Sequence, residues 1–259
     1  MTESTPSYFY KYRSFSGKDR DRTVVCLEHG CLWFAVPFDF RKEDDYDCNI
    51  PSSYRANPET FRAMADSAII AVMPSLSQAE RRALVDAAIE KRVYEDPERI
   101  DNLRISHKKQ VERRGVLCLC AIGVSDPMWT RYADNHQGCC LQFKRSQRGM
   151  FANVERVSYR RRLPVINWIE QPYLEKNNTM MLTKKTKYRF ENEWRIWDSR
   201  GRGYFKYNTG ALTALIFGCQ MPEEDKSLLT DLIRRTHPSA KLYDIIKTKE
   251  RLKMSLRKG

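Results

Sequence analysis

Strand-like and helix-like segments do not alternate regularly along this chain, and their order limits the possible folds more than any single motif. Tyr8–Arg13 (YFYKYR) reads as a short aromatic strand, and a helix is expected through Val24–Leu27 to Gly30. Cys31–Val36 (CLWFAV) reads as a second strand stopped by Pro37. From Pro58 to about Arg114 the character turns helical. Ser77 and Glu80 form a capping box, and Val85, Ile89 and Val93 recur as an apolar stripe beside Leu84 and Ala88. Strands are then expected at Val116–Ile122, Gly138–Phe143, Val154–Tyr159, Leu163–Ile166, Glu193–Trp197 and Ala211–Phe217. Pro222 opens a helix with an apolar face of Leu228, Leu229, Leu232 and Ile233, which must end before Pro238. A last strand, Lys241–Ile246, leads into a basic tail over about 247–259. The economical architecture is one α+β domain over residues 1–259, with a helical insert at about 58–114.

Charge narrows the choice of partner. Across 259 residues, 46 Lys and Arg outnumber 33 Asp and Glu, a formal net charge of +13 that favours a polyanionic ligand. Three segments hold the excess: Lys144–Arg162 at +6, Lys184–Lys206 at +5 and Lys241–Lys258 at +5. A charge run is often no more than a solvated surface. Here the runs interleave with Tyr159, Tyr188, Phe190, Trp194, Tyr204, Phe205 and Tyr207, the pairing of cations and aromatic faces that suits nucleic acid or NAD. Lys184, Lys187, Arg195, Arg160 and Arg161 are the candidates for phosphate contacts.

No apolar stretch approaches the roughly 18 residues of a transmembrane helix, so no membrane partner is expected. The opening MTESTPSYFYKYR lacks the pattern of a secretory signal, and free thiols in a reducing cytoplasm are expected for the eight cysteines. Those cysteines lack C-x-x-C spacing, and the runs VLCLCAI and GCCLQF read as buried strands in which cysteine acts as a small hydrophobe. No metal is therefore expected. His237 beside Pro238 would suit a helix end as a cation, and His136 sits in a polar cluster.

No P-loop, G-x-G-x-x-G, H-E-x-x-H or G-x-S-x-G motif occurs. Three clusters remain. In Tyr10-Lys11-Tyr12-Arg13, alternation puts the tyrosines on one face and the cations on the other. The second runs from Asp126 through Trp129 and Tyr132 to His136 and Gly138. The third is Phe190-Glu191-Asn192-Glu193-Trp194-Arg195, whose two carboxylates would share a face if extended. Such a pair suits acid–base or cation-stabilising work. The simpler account on residue types alone is that both pair with Arg189 and Arg195.

The chain resembles an uncharacterised bacterial family known only as a domain of unknown function. The resemblance rests on Tyr10–Arg13, Leu32–Pro37, the M-W-x-x-Y-A-x-x-x-x-G segment Met128–Gly138, and Lys184–Arg195 with its E-x-E-W-R. The acidic loop Asp39–Asp47 departs from that family's F-N-D-P-F-E-like pattern. More remotely, the order of these motifs is similar to that of ADP-ribosyltransferases. That resemblance implies mixed, mostly antiparallel sheets and an enzyme that uses NAD to modify a nucleic acid or protein. It implies Glu193 as the catalytic carboxylate and Glu191 as the one that orients the acceptor or a ribose hydroxyl, with Tyr10, Lys11, Arg13, Trp129 and Tyr132 around NAD. A role in bacterial defence or a toxin system is compatible with it. The alternative is a non-catalytic nucleic-acid-binding module with a basic, aromatic C-terminal groove.

Overall fold

The computed structural model describes residues 5–41, 44–249 and 251–257. It is α+β with mostly antiparallel sheets, and the chain resolves into two compact units. The first comprises residues 1–36, 114–159 and 185–259, and the second residues 37–113 and 160–184.

The first unit is built on an eight-stranded sheet. From one edge its strands are Leu252–Leu256, Lys241–Lys247, Leu212–Phe217, Cys139–Lys144, Tyr8–Arg13, Gly115–Cys120, Glu193–Asp198 and Glu155–Arg156. The parallel pair is Leu212–Phe217 with Lys241–Lys247, joined by the helix Glu223–Thr236. Parallel neighbours need such a crossover.

Period-two alternation gives this sheet two apolar faces. One carries Phe9, Leu119, Leu141, Phe143, Leu215 and Phe217, packed in a common core with Cys26 and Leu27 of the helix Gly17–His29 and with Leu229 and Ile233 of the crossover helix. The other carries Tyr12, Cys120, Cys140 and Ile216 under Met128, Trp129 and Ala133, from the helix Asp126–Tyr132 and its end. Burial pushes the thiols of Cys120 and Cys139 up to about 12 and that of Cys26 to about 11, so these cysteines serve as core hydrophobes.

Gly30 ends the helix Gly17–His29 at φ 61, the left-handed cap expected of glycine. The run expected as a basic tail supplies the strand Leu252–Leu256, paired antiparallel with Lys241–Lys247. His237 is buried with Nε2 3.3 Å from the Tyr207 hydroxyl, and desolvation lowers its pKa. It is therefore not the helix-end cation that its position suggests.

The second unit holds the expected helical block as three helices, Pro58–Val72, Gln78–Glu90 and Pro97–Glu112, followed in sequence by Tyr173–Leu182 within residues 160–184. The capping box is formed: the Ser77 N–H donates to Glu80 Oε2 at 2.8 Å, and the Glu80 N–H donates to Ser77 Oγ at 3.3 Å. Of the expected apolar stripe, Val85 is buried whereas Leu84 is exposed. In the acidic loop Asp47 is buried against Lys184, at 3.3 Å; Lys42 and Glu43 lie outside the described residues. Among the described residues no helix is long and apolar enough to cross a membrane.

Two consequences can be measured. A Cβ on Gly138 would lie 2.1 Å from the Arg13 carbonyl oxygen, so Gly138→Ala should lower the unfolding free energy by about 3 kcal/mol in a urea titration. Desolvation and Lys176 lower the pKa of His107 to about 4, against 6.5 in the unfolded chain. The stability from a neutral His107 is complete above about pH 6.5 and is lost as pH falls toward 4. Urea titrations at stepped pH should show a shallower acid loss in His107→Phe.

Candidate functional site

Glu193 and Arg195 are two apart on the strand Glu193–Asp198, so both side chains leave the same face. Arg195 Nε donates to Glu193 Oε1 at 2.7 Å, and its Nη2 donates to Oε2 at 3.0 Å. The guanidinium is fully buried and the carboxylate 4% exposed. This is a two-point ion pair in the protein interior, the geometry in which arginine binds a carboxylate most strongly. The Glu193 N–H also donates to the Tyr159 hydroxyl at 2.8 Å.

Glu191 precedes the strand, at the end of a 3-10 turn over Thr186–Glu191. It is buried and accepts from the Tyr132 hydroxyl at 2.5 Å. Both carboxylates lie close enough to Cys120 to add to the burial that raises its thiol pKa. The structure thus brings together Tyr132, Glu191, Glu193 and Arg195, with Cys120 opposite Glu193 in the next strand.

Register decides which other residues join them. Tyr10 pairs with Cys120, and Cys120 pairs with Glu193, so Tyr10 and Glu193 share a face. The Tyr10 hydroxyl accepts from Gln142 Nε2 at 3.0 Å. Lys11 pairs with Leu141, on the opposite face. Its ammonium donates to the Cys118 carbonyl at 2.9 Å, and burial together with Arg13 pushes its pKa down. Arg13, also on that far face, is buried and paired with Asp19 at 3.1 Å. Lys11 and Arg13 therefore do not join Tyr10, Tyr132 and Glu193 in one NAD pocket.

Trp129 is correctly placed on the Glu193 face but is fully buried. Its indole N–H donates to the Gly123 carbonyl at 3.3 Å, and its ring packs edge-on to Tyr12 at 5.2 Å and parallel to His136 at 6.1 Å. A ring so enclosed does not stack a nicotinamide. His136, flagged in the sequence, is buried with Nε2 3.1 Å from Asp126 Oδ1.

The expected phosphate contacts divide by exposure. Arg195 and Lys184 are buried in ion pairs. Arg160 and Arg161 are exposed in the second unit, and Lys187 is exposed in the first. Lys187 Nζ lies 4.8 Å from the centroid of the buried Tyr188 ring, and the exposed Arg131 guanidinium lies 5.5 Å from it. Arg131 also lies 5.8 Å from the Tyr132 ring. Sequence reasoning passed over Arg131, although its place between Trp129 and Tyr132 in a motif-bearing segment was a usable signal.

Residues 128–196 match a protein family described as a protein of unknown function (DUF2971). The match spans Met128–Gly138 and the E-x-E-W-R segment, two of the motifs behind the resemblance; Tyr10–Arg13 and Leu32–Pro37 lie outside it. No curated protein and no solved structure matches the chain.

Breaking a buried pair leaves an uncompensated charge, whereas replacing both partners need not. Glu193→Gln should therefore lower the unfolding free energy by about 3–5 kcal/mol in urea. The double variant Glu193→Leu with Arg195→Met should lose less than either single variant. A Glu193 held in place only for chemistry would leave stability unchanged in Glu193→Gln.

Proposed function

We propose that the first unit is a nucleic-acid-binding module whose affinity comes from exposed cations set against aromatic rings. The observation that carries this reading is the division of charge. The first unit holds 28 basic and 16 acidic residues, the second 18 and 17. Nearly the whole net charge therefore belongs to one compact body, a distribution that attracts a polyanion over distances of about a Debye length.

Arg131 and Lys187 supply the local contact. Both are exposed, and each is held near the Tyr188 ring. A cation held over a ring loses less freedom on binding phosphate. Glu193 is already matched by Arg195, so in this reading the pair holds the sheet that presents those cations. The eight free thiols suit a reducing, cytoplasmic setting.

Fluorescence anisotropy with labelled single-stranded RNA and duplex DNA tests the proposal. Affinity should fall steeply between about 50 and about 200 mM salt, with little dependence on base sequence. Arg131→Glu with Lys187→Glu should weaken binding about tenfold or more and reduce the salt slope by about two. Absent or salt-independent binding would overturn the reading.

A further inference from the structure

Three aromatic rings form a column inside the second unit. Tyr54 stacks on His107 at 5.6 Å and 12°, and His107 stacks on Trp168 at 4.5 Å and 20°. A cation closes each end: the Arg104 guanidinium lies 5.9 Å from Tyr54, and Lys176 Nζ lies 5.5 Å from Trp168. Lys176 is fixed further by donating to the Trp168 carbonyl at 2.7 Å. The Trp168 indole N–H donates to Ser52 Oγ at 2.9 Å. Stacking and hydrogen bonds thus tie together residues far apart in sequence.

Tyr54, His107 and Trp168 all line a cavity of about 540 Å³. That volume falls within the range of small-molecule sites. Three cations line the same cavity, Arg41, Arg104 and Lys108, and its described lining contains no Asp or Glu. Arg41 is paired with Glu112, and Arg104 with Asp101 at 2.7 Å. Lys108 is exposed and has no ion-pair partner among the described residues. His107 Nδ1 is buried and lacks a hydrogen-bond partner among the described residues, and such an atom costs free energy until something satisfies it.

Elsewhere in this unit acids and bases are nearly balanced, so a cavity whose described lining carries three cations and no acid stands out against its surroundings. Its apolar lining, including Ile50, Val111 and Met180, would exclude water from the body of a ligand while the cations hold an anionic group. We propose that this cavity binds a phosphorylated small molecule of mononucleotide size. The phosphate lies toward Lys108 and Arg104, and a ring nitrogen or hydroxyl of the ligand meets the His107 imidazole.

Isothermal titration of the full chain with adenosine monophosphate, ribose 5-phosphate, adenosine and inorganic phosphate tests this. At about 150 mM salt, loosely held surface phosphate contributes little. Adenosine monophosphate or ribose 5-phosphate should bind at least about tenfold more tightly than adenosine or inorganic phosphate. Lys108→Gln, an exposed change that leaves the column intact, should weaken that binding about tenfold. Binding should quench tryptophan fluorescence, and Trp168→Phe, which keeps a ring in the stack, should remove that quench. The proposal fails if the phosphorylated probes bind no better than adenosine and inorganic phosphate. It fails equally if Lys108→Gln binds them as the unaltered chain does.

Discussion

Taking a carboxylate and a guanidinium out of water costs several kilocalories per mole for each, and the two-point contact of the Glu193–Arg195 pair offsets part of that loss. That contact imposes conditions on its surroundings. The two residues must lie two apart on an extended strand so that both leave one face. Their cross-strand partners are Cys120 and Cys118, whose small side chains leave room for the guanidinium plane. Trp194 between them and Ile196 just beyond point into the opposite core, which locks the register. A slip of one residue would place both charges among Phe9, Leu119 and Leu141 and turn the tryptophan out of that core.

Much of the sheet was legible because period-two alternation is a local property. Tyr8–Arg13 was bounded to the residue, and its division into a tyrosine face and a cation face is the one observed. Alternation cannot say which face of one strand meets which face of another. Whether Glu193 looks toward Tyr10 or toward Lys11 depends on the Gly115–Cys120 strand between them, distant in sequence from both. A motif list therefore gathers Lys11, Arg13 and Glu193 together, and the pleat separates them. The pairing of Glu193 with Arg195 was visible in residue types alone, since no longer-range information is needed for it.

Other elements were hidden by stronger local signals. In Leu252–Leu256 the residues Leu252, Met254 and Leu256 alternate as a strand should, but the surrounding Lys and Arg make the segment read as a tail. Tyr173–Leu182 carries two Asn and a Thr, poor helix formers, and its helix is held in part by packing of Met180 and Met181. The His107 column draws on segments around residues 54, 107 and 168, and its aromatic residues are too sparse along the chain to suggest one another. Net charge hid it as well, because a nearly neutral unit attracts no notice in a chain of +13.

The M-W-x-x-Y-A-x-x-x-x-G segment shows how a specific motif can be largely about folding. Asp134, Asn135 and His136 occupy the left-handed region in succession, at φ 48, 49 and 69. For L-residues each such position costs about 1–2 kcal/mol. Backbone bonds hold the turn: the His136 N–H donates to the Trp129 carbonyl at 3.2 Å, and the Gly138 N–H to that of Ala133 at 2.8 Å. The His136 carbonyl in turn accepts from the Gln220 N–H at 3.0 Å. Ala133 is fully buried and Gly138 lies against the Arg13 backbone, so the spacing from alanine to glycine follows from reversing the chain between helix and strand. Trp129 is spent in the core beneath that turn. Toward solvent the segment leaves the polar side chains of Thr130, Asp134, Asn135 and Gln137 and one cation, Arg131, with Tyr132 half-buried over Glu191, so a polyanion meeting this part of the molecule would find its positive charge at Arg131.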